Sequence, residues 1–176
     1  MKRTFVVVAF VTFISAVALQ AQAPAPKPGP EAQRLGYWVG TWKLEGERKD
    51  NPAGPGGKIS GTITCSMFEG GFHRICESTI ENPSGTFKGM DIRWWDPEKK
   101  VYVERDISSD GTTIESRITL SKNTWIETYE RRIGGKLIHW RWTSIETSPT
   151  VLTQRAEYSE DGKTWIASHE RKWTKQ

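Results

Sequence analysis

The sequence predicts an all-β protein, a single antiparallel up-and-down β-barrel of about ten strands with a short N-terminal helix. Three observations predict it. Short β-rich runs recur about every ten residues with turn residues between them. Helical patterning is almost absent after Gly40. The turns are short, so each strand pairs with the next, and a meander this long removes its two exposed edges by closing on itself.

At the N-terminus, Lys2 and Arg3 precede an apolar run from Thr4 to Leu19 and then small residues around Ala21. Basic, apolar and small in that order is the pattern of a secretory signal peptide, assigned to residues 1–21. The run is interrupted by Thr12 and Ser15 and falls short of the ~20 apolar residues that span a bilayer. The expectation is therefore a secreted or periplasmic protein with no membrane span after cleavage. Residues 22–34 form a proline-rich linker (PAPKPGP at Pro24–Pro30) and the start of a helix. Proline at a first helical position favours a helix over Glu31–Trp38, which would plug one barrel end. Residues 35–176 are assigned to the barrel.

The predicted strands are Gly40–Glu47, Ile59–Met67, Phe72–Ile80, Thr86–Trp95, Val101–Ile107, Thr112–Ser121, Thr124–Ile133, Leu137–Ile145, Thr150–Ser159 and Thr164–Thr174. Between them lie turn formers such as Gly70-Gly71, Asn82-Pro83-Ser84-Gly85, Asp96-Pro97, Asp110-Gly111, Gly134-Gly135, Ser148-Pro149 and Asp161-Gly162. Glycine and asparagine tolerate positive φ and proline presets a turn. The one long loop, Arg48 to Lys58, is rich in glycine and proline and reads as a flexible rim.

Period-two alternation then separates inside from outside. The inward sets are Ile59, Ile63, Cys65 and Met67; Met90, Ile92 and Trp94; Ile114, Ile118 and Leu120; Ile138, Trp140 and Trp142; and Leu152, Ala156 and Tyr158. Counting outward from Gly70-Gly71 brings Cys65 opposite Cys76, within disulfide reach and in a hydrogen-bonded pair. The alternative is two reduced cysteines packed as small apolar side chains.

Motifs of catalysis are missing: no G-x-S-x-G, H-E-x-x-H or C-x-x-C occurs. No acid, base or nucleophile set stands out, so binding is favoured over catalysis and no cofactor is expected. The net charge of +4 falls to +2 once Lys2 and Arg3 are removed. With basic and acidic residues intermixed, nothing points to nucleic acid. His73 and His139 fall on outward positions, while His169 shares a face with Trp165, Ala167 and Trp173 and reads as inward. Arg171 lies on that same face. It could grip a carboxylate or, the favoured role, stack on Trp42. Arg74 and Gln154 also read as inward. The nine tryptophans suit a packed core or an apolar pocket equally well.

The stretch Leu35-Gly36-Tyr37-Trp38-Val39-Gly40-Thr41-Trp42 resembles the Gly-x-Trp start of lipocalin-like barrels. Phe68-Glu69-Gly70-Gly71-Phe72-His73-Arg74-Ile75-Cys76, Trp95-Asp96-Pro97-Glu98-Lys99-Lys100-Val101-Tyr102 and Glu146-Thr147-Ser148-Pro149-Thr150 look like an exported bacterial family known only as a domain of unknown function, as does Ser159-Glu160-Asp161-Gly162-Lys163-Thr164-Trp165. That resemblance implies a lipocalin-like barrel and leaves the activity open. In lipocalins the Gly-x-Trp tryptophan packs under a basic residue of the last strand, which implies a Trp42–Arg171 pair here. A more distant likeness to nitrobindins, which bind haem through a C-terminal histidine, implies His169 as a metal ligand.

The leading functional expectation is a barrel that holds a small, mainly apolar or amphipathic molecule. Its wall would be Arg74, Met90, Trp94, Trp140, Trp142, Gln154 and Arg171, with an acidic head group near Arg171 or Arg74. Trp42, Arg171, Cys65 and Cys76 carry structural roles. A haem barrel using His169 and a packed barrel acting as an interaction or structural module are the alternatives.

Overall fold

The computed structural model describes residues 25–176. The signal-peptide reading and linker residues 22–24 lie outside them. The strands are β1 (Gly40–Arg48), β2 (Gly57–Met67), β3 (His73–Asn82), β4 (Gly85–Asp96), β5 (Val101–Ser108), β6 (Thr113–Ser121), β7 (Thr124–Ile133), β8 (Lys136–Ser148), β9 (Val151–Ser159) and β10 (Ile166–Lys175). Each pairs antiparallel with the next, and β1 pairs with β10, which closes the barrel. The predicted runs therefore match the observed strands with ends shifted by a few residues.

The expected helix is two pieces: a short α-helix, α1 (Pro30–Arg34), and a 3₁₀ turn over Leu35–Trp38. Together they plug the end of the barrel where β1 begins. Trp42 Nε1 donates to the Trp38 carbonyl at 2.7 Å, and the Tyr102 hydroxyl donates to the Glu31 carbonyl at 3.1 Å. The Tyr37 hydroxyl donates to the Ser148 carbonyl at 3.0 Å. Leu35, Trp38, Trp42, Leu44, Ile118, Trp125 and Leu152 pack there as an apolar core. The opposite end is the mouth, rimmed by residues 49–56 between β1 and β2.

Cys65 and Cys76 pair across β2 and β3 and form a disulfide, their Cα atoms 4.1 Å apart. That close spacing belongs to a non-hydrogen-bonded pair. The expected hydrogen-bonded pair is displaced because the turn is wider than two residues: Phe68 donates its N–H to the His73 carbonyl, and Gly71 to that of Phe68.

Most inward sets stand as read, including Ile59 with Cys65, Ile118, Ile138 with Trp140, and Leu152 with Ala156, all buried. Strand β4 is the exception. Met90 is 46% exposed, and Met90, Ile92 and Trp94 lie on the outer face, with Trp94 beside His73. The inward positions are Asp91 and Arg93, because Asp91 is paired with the inward Cys76. Strand β10 departs too. A bulge between Ala167 and His169 breaks the alternation, since the extra residue shifts every side chain before it. Trp165 therefore does not share the inner face with His169. It lies outside, 4.2 Å beneath the Arg141 guanidinium.

Candidate functional site

The interior is not apolar above the plug. Strands β3, β4, β5 and β7 each turn charged side chains inward, and these meet in one network. Arg74 pairs with Asp91 and with Glu104, the latter at 2.7 Å. Arg93 reaches the same Glu104 at 2.7 Å and Glu127 at 3.9 Å. Both guanidinium groups lie over the Trp38 ring, at 5.5 Å and 5.0 Å from its centre. Trp38 is thus both the lid of the apolar plug and the floor of the polar layer.

Burial and pairing set the charge states. The two arginines hold the Glu104 carboxyl well below the ordinary range against the opposing effect of desolvation. Glu127 is pushed up, first by burial and then by the neighbouring Glu104 charge. Asp106 is raised to about 6 by burial, with the charges of Glu104 and Asp110 adding to it. Burial lowers Arg171 to about 10, which still leaves it cationic at neutral pH.

A cavity of about 240 Å³ opens within this layer. Its apolar wall includes Trp38, Ile63, Ile114, Trp142 and Trp173, and its polar wall Arg74, Asp91, Arg93, Glu104, Asp106, Glu127, Gln154 and Arg171. Asp106 and Ile114 also line a depression of about 230 Å³ at the mouth, together with Arg48 and Arg131. Asp106 of β5 and Ile114 of β6 thus belong to the walls of both the mouth and the interior.

The residues expected to form the site are divided by the structure. Arg74, Trp142, Gln154 and Arg171 line the cavity. Arg74 is committed to its two carboxylates. Gln154 donates to the Ser144 hydroxyl at 3.0 Å and accepts from the Trp173 indole at 3.3 Å. Trp140 is buried but sits behind the cavity wall, stacked near Tyr129 and Tyr158. Met90 and Trp94 are outside, for the register reason given above.

The Trp42–Arg171 stack is replaced by two others. Lys175 Nζ stands 5.0 Å from the centre of the Trp42 ring, because Lys175 is the residue directly opposite Trp42 in the β1–β10 ladder. Arg171 lies 4.4 Å over Trp142 instead. Its Nε is buried with no hydrogen-bond partner. Among the described residues Arg171 enters no ion pair, unlike Arg74 and Arg93. Gly46 makes room for it: a Cβ there would lie 2.1 Å from the Glu170 carbonyl and 3.1 Å from Arg171 Cγ.

His169 is buried as expected, but its surroundings do not suit a haem ligand. Its Nδ1 is 2.6 Å from the Ser168 hydroxyl, and its ring packs 4.9 Å from that of Trp142. Burial and the nearby Arg171 and Arg48 charges push it down to about 3, so the ring is neutral. It is not part of the cavity wall. That cavity is also smaller than the ~300–1,000 Å³ usual for drug-sized ligands, and a porphyrin is no smaller than those. Among the described residues no cluster of three or more His, Cys, Asp or Glu is arranged to hold a metal ion.

Asp91, Arg93, Glu104, Asp106 and Glu127 were missed by the sequence reading. Counting out from the Asn82–Gly85 turn pairs Cys76 with Asp91, and the next ladder pairs Asp91 with Asp106. The disulfide therefore marks the inner face of β4 and β5, a stronger signal there than the hydrophobicity of Met90 or Trp94.

Residues 27–122 match the model of a family described as a protein of unknown function, DUF1579. The chain belongs to the DUF1579 family. No curated protein matches the sequence. Among solved structures, the DUF1579 chain is similar to Rv2717c from M. tuberculosis, with 9% identity, a TM-score of 0.58, and 85% of this chain and 99% of that one covered. It is also similar to the S-type phycobiliprotein lyase CPES from Guillardia theta, with 9% identity, a TM-score of 0.52, and coverage of 82% and 91%. At that identity the likeness is one of fold. The described residues contain no helix long and apolar enough to cross a membrane.

Proposed function

We propose that this DUF1579 protein binds a small amphipathic molecule in the barrel interior, with an anionic head held by Arg171. The observation that carries the reading is a buried guanidinium that lines the cavity and has no anion of its own. Burying a charge without a partner costs several kcal/mol, and a carboxylate accepting two hydrogen bonds from that fork would offset it. Trp142 beneath and Trp173 nearby offer apolar surface to the rest of the ligand. A wholly hydrophobic molecule fits poorly, since the rest of the wall includes Arg74, Asp91, Arg93, Glu104, Asp106 and Glu127. The small volume selects for a short ligand, one far below the size of a long-chain lipid.

The test is titration of the purified protein with butanoate and hexanoate, followed by tryptophan fluorescence, since Trp142 touches Arg171. Saturable binding that weakens roughly 10- to 100-fold in Arg171→Met supports the reading, a range set by the loss of a charge-assisted hydrogen bond. Equal affinity in native protein and variant overturns it.

Export is part of the same proposal. The basic, apolar and small order of residues 1–21 supports it, and so does the Cys65–Cys76 disulfide, a bond that persists in oxidising compartments.

A further inference from the structure

Two side chains of opposite charge in the cavity wall are left unmatched. Arg171 enters no ion pair or hydrogen bond among the described residues, and its Nε is fully buried. Asp106, on the opposite part of the wall where the cavity meets the mouth, likewise enters neither. Every other charged group in the cavity wall is tied to its neighbours. Arg74 holds Asp91 and Glu104, and Arg93 holds Glu104 and Glu127. Arg171 and Asp106 do not bridge to each other, although both line the same cavity of about 240 Å³.

Within a low-dielectric interior, opposite charges attract strongly enough to be drawn together unless the backbone holds them apart. Here it does. Arg171 is fixed on β10 by its stack on Trp142, and Asp106 lies on β5 between Asp91 and Ile114 of the neighbouring strands. Both side chains line the space between them.

We infer that the ligand is zwitterionic, a small molecule with a carboxylate at one end for Arg171 and a protonated amine at the other for Asp106. This deepens the reading of an anion held by Arg171 and rests on it. An amine entering through the mouth meets Asp106 first, since that carboxylate lines both the depression and the cavity. The carboxylate then leads inward to Arg171. An ammonium group offers three donors to Asp106 and its surroundings, and the carboxylate accepts from the Arg171 fork. The connecting methylenes lie against Ile114 and Trp142. The two recognised charges cancel, so the occupied cavity keeps the net charge of the empty one.

The test is isothermal titration of the purified protein with matched probes: γ-aminobutanoate, butanoate and butylamine, then ε-aminohexanoate, hexanoate and hexylamine. The amino acid of at least one set is expected to bind about tenfold or more tightly than its carboxylate, and more tightly still than its amine. In Asp106→Asn that advantage disappears, while carboxylate affinity is kept. Equal binding of amino acids and plain carboxylates overturns the inference and leaves the anion reading standing. Failure of both carboxylates and amino acids to bind overturns the two together. The comparison among probes on the native protein decides the matter even if the variant does not fold.

Discussion

Lys175 Nζ lies 5.0 Å from the centre of the Trp42 ring, and Arg171, two inward positions earlier on the strand, is spared that task. The last strand thus divides its two inward cations. One closes the plugged end against Trp42 and donates to the Tyr37 carbonyl at 3.2 Å. The other is left free to face the cavity. Trp42 is fully buried among Leu35, Trp38 and Leu44. Trp42→Ala is expected to cost about 3–5 kcal/mol of stability, read from urea unfolding. Lys175→Met is expected to cost far less, because the cation over the ring adds only about 0.5–2 kcal/mol.

The disulfide closes a loop of only 11 residues. Its stabilisation should lie near the low end for disulfides, about 2 kcal/mol. Thermal unfolding of the Cys65→Ala, Cys76→Ala double variant checks this, and native protein in reducing agent should shift in the same direction.

Arg74 is nearly fully buried between Asp91 and Glu104. Removing it strands Asp91 and leaves Glu104 to Arg93 alone. Arg74→Met is expected to destabilise the fold by about 3–5 kcal/mol. Its effect should appear in unfolding midpoints, in contrast to Arg171→Met, whose effect should appear mainly in ligand affinity.

Two buried groups give pH dependences of opposite sign. His169, held down at about 3, stays neutral in the fold while the unfolded chain takes up a proton near pH 6.5. Stability from this group is therefore full above 6.5 and falls as pH drops toward 3, with a slope up to about 1.4 kcal/mol per pH unit. Asp106, raised to about 6, keeps its proton longer in the fold than in the unfolded chain. Its contribution falls as pH rises from the ordinary carboxylate range to about 6. Urea unfolding from pH 4 to 7 should lose the first component in His169→Gln and the second in Asp106→Asn.

Gly46 faces the interior opposite Arg171, and an added methyl would collide with the Glu170 carbonyl. That contact is with backbone, so it cannot be relieved by rotating a side chain. Gly46→Ala is expected to cost about 1–3 kcal/mol or more and to weaken butanoate binding by displacing Arg171. Parallel measurement of unfolding and of binding separates the two effects.

The barrel was legible in the sequence because its turns are chemically explicit: Asp110-Gly111 and Gly134-Gly135 could hardly sit within strands. The inward faces were legible wherever hydrophobicity and burial agree, as at Ile118 or Leu152. They failed at β4, where Asp91 and Arg93 go inside and Met90 stays outside. A buried ion network inverts the usual pattern, and its members stabilise one another only when neighbouring strands supply the partners. No single run shows that. The bulge at Ala167–His169 was hidden for a different reason, since nothing in the local composition marks an extra residue. Arg171 was found as a cavity residue and given the wrong ring, because the residue opposite Trp42 is Lys175, two inward positions further along β10.

The pairing of the first strand with the last has a consequence for how the chain reaches this state. A polypeptide that emerges N-terminus first, from a ribosome or a translocation pore, can zip nine hairpin ladders as they arrive. It cannot complete the ring until the residues of β10 are released. Until then β1 presents a bare edge, and Trp42 lacks the Lys175 that covers it. Closure therefore waits for the last strand, and a chain cut short before β10 would be left as an open, self-adhesive sheet.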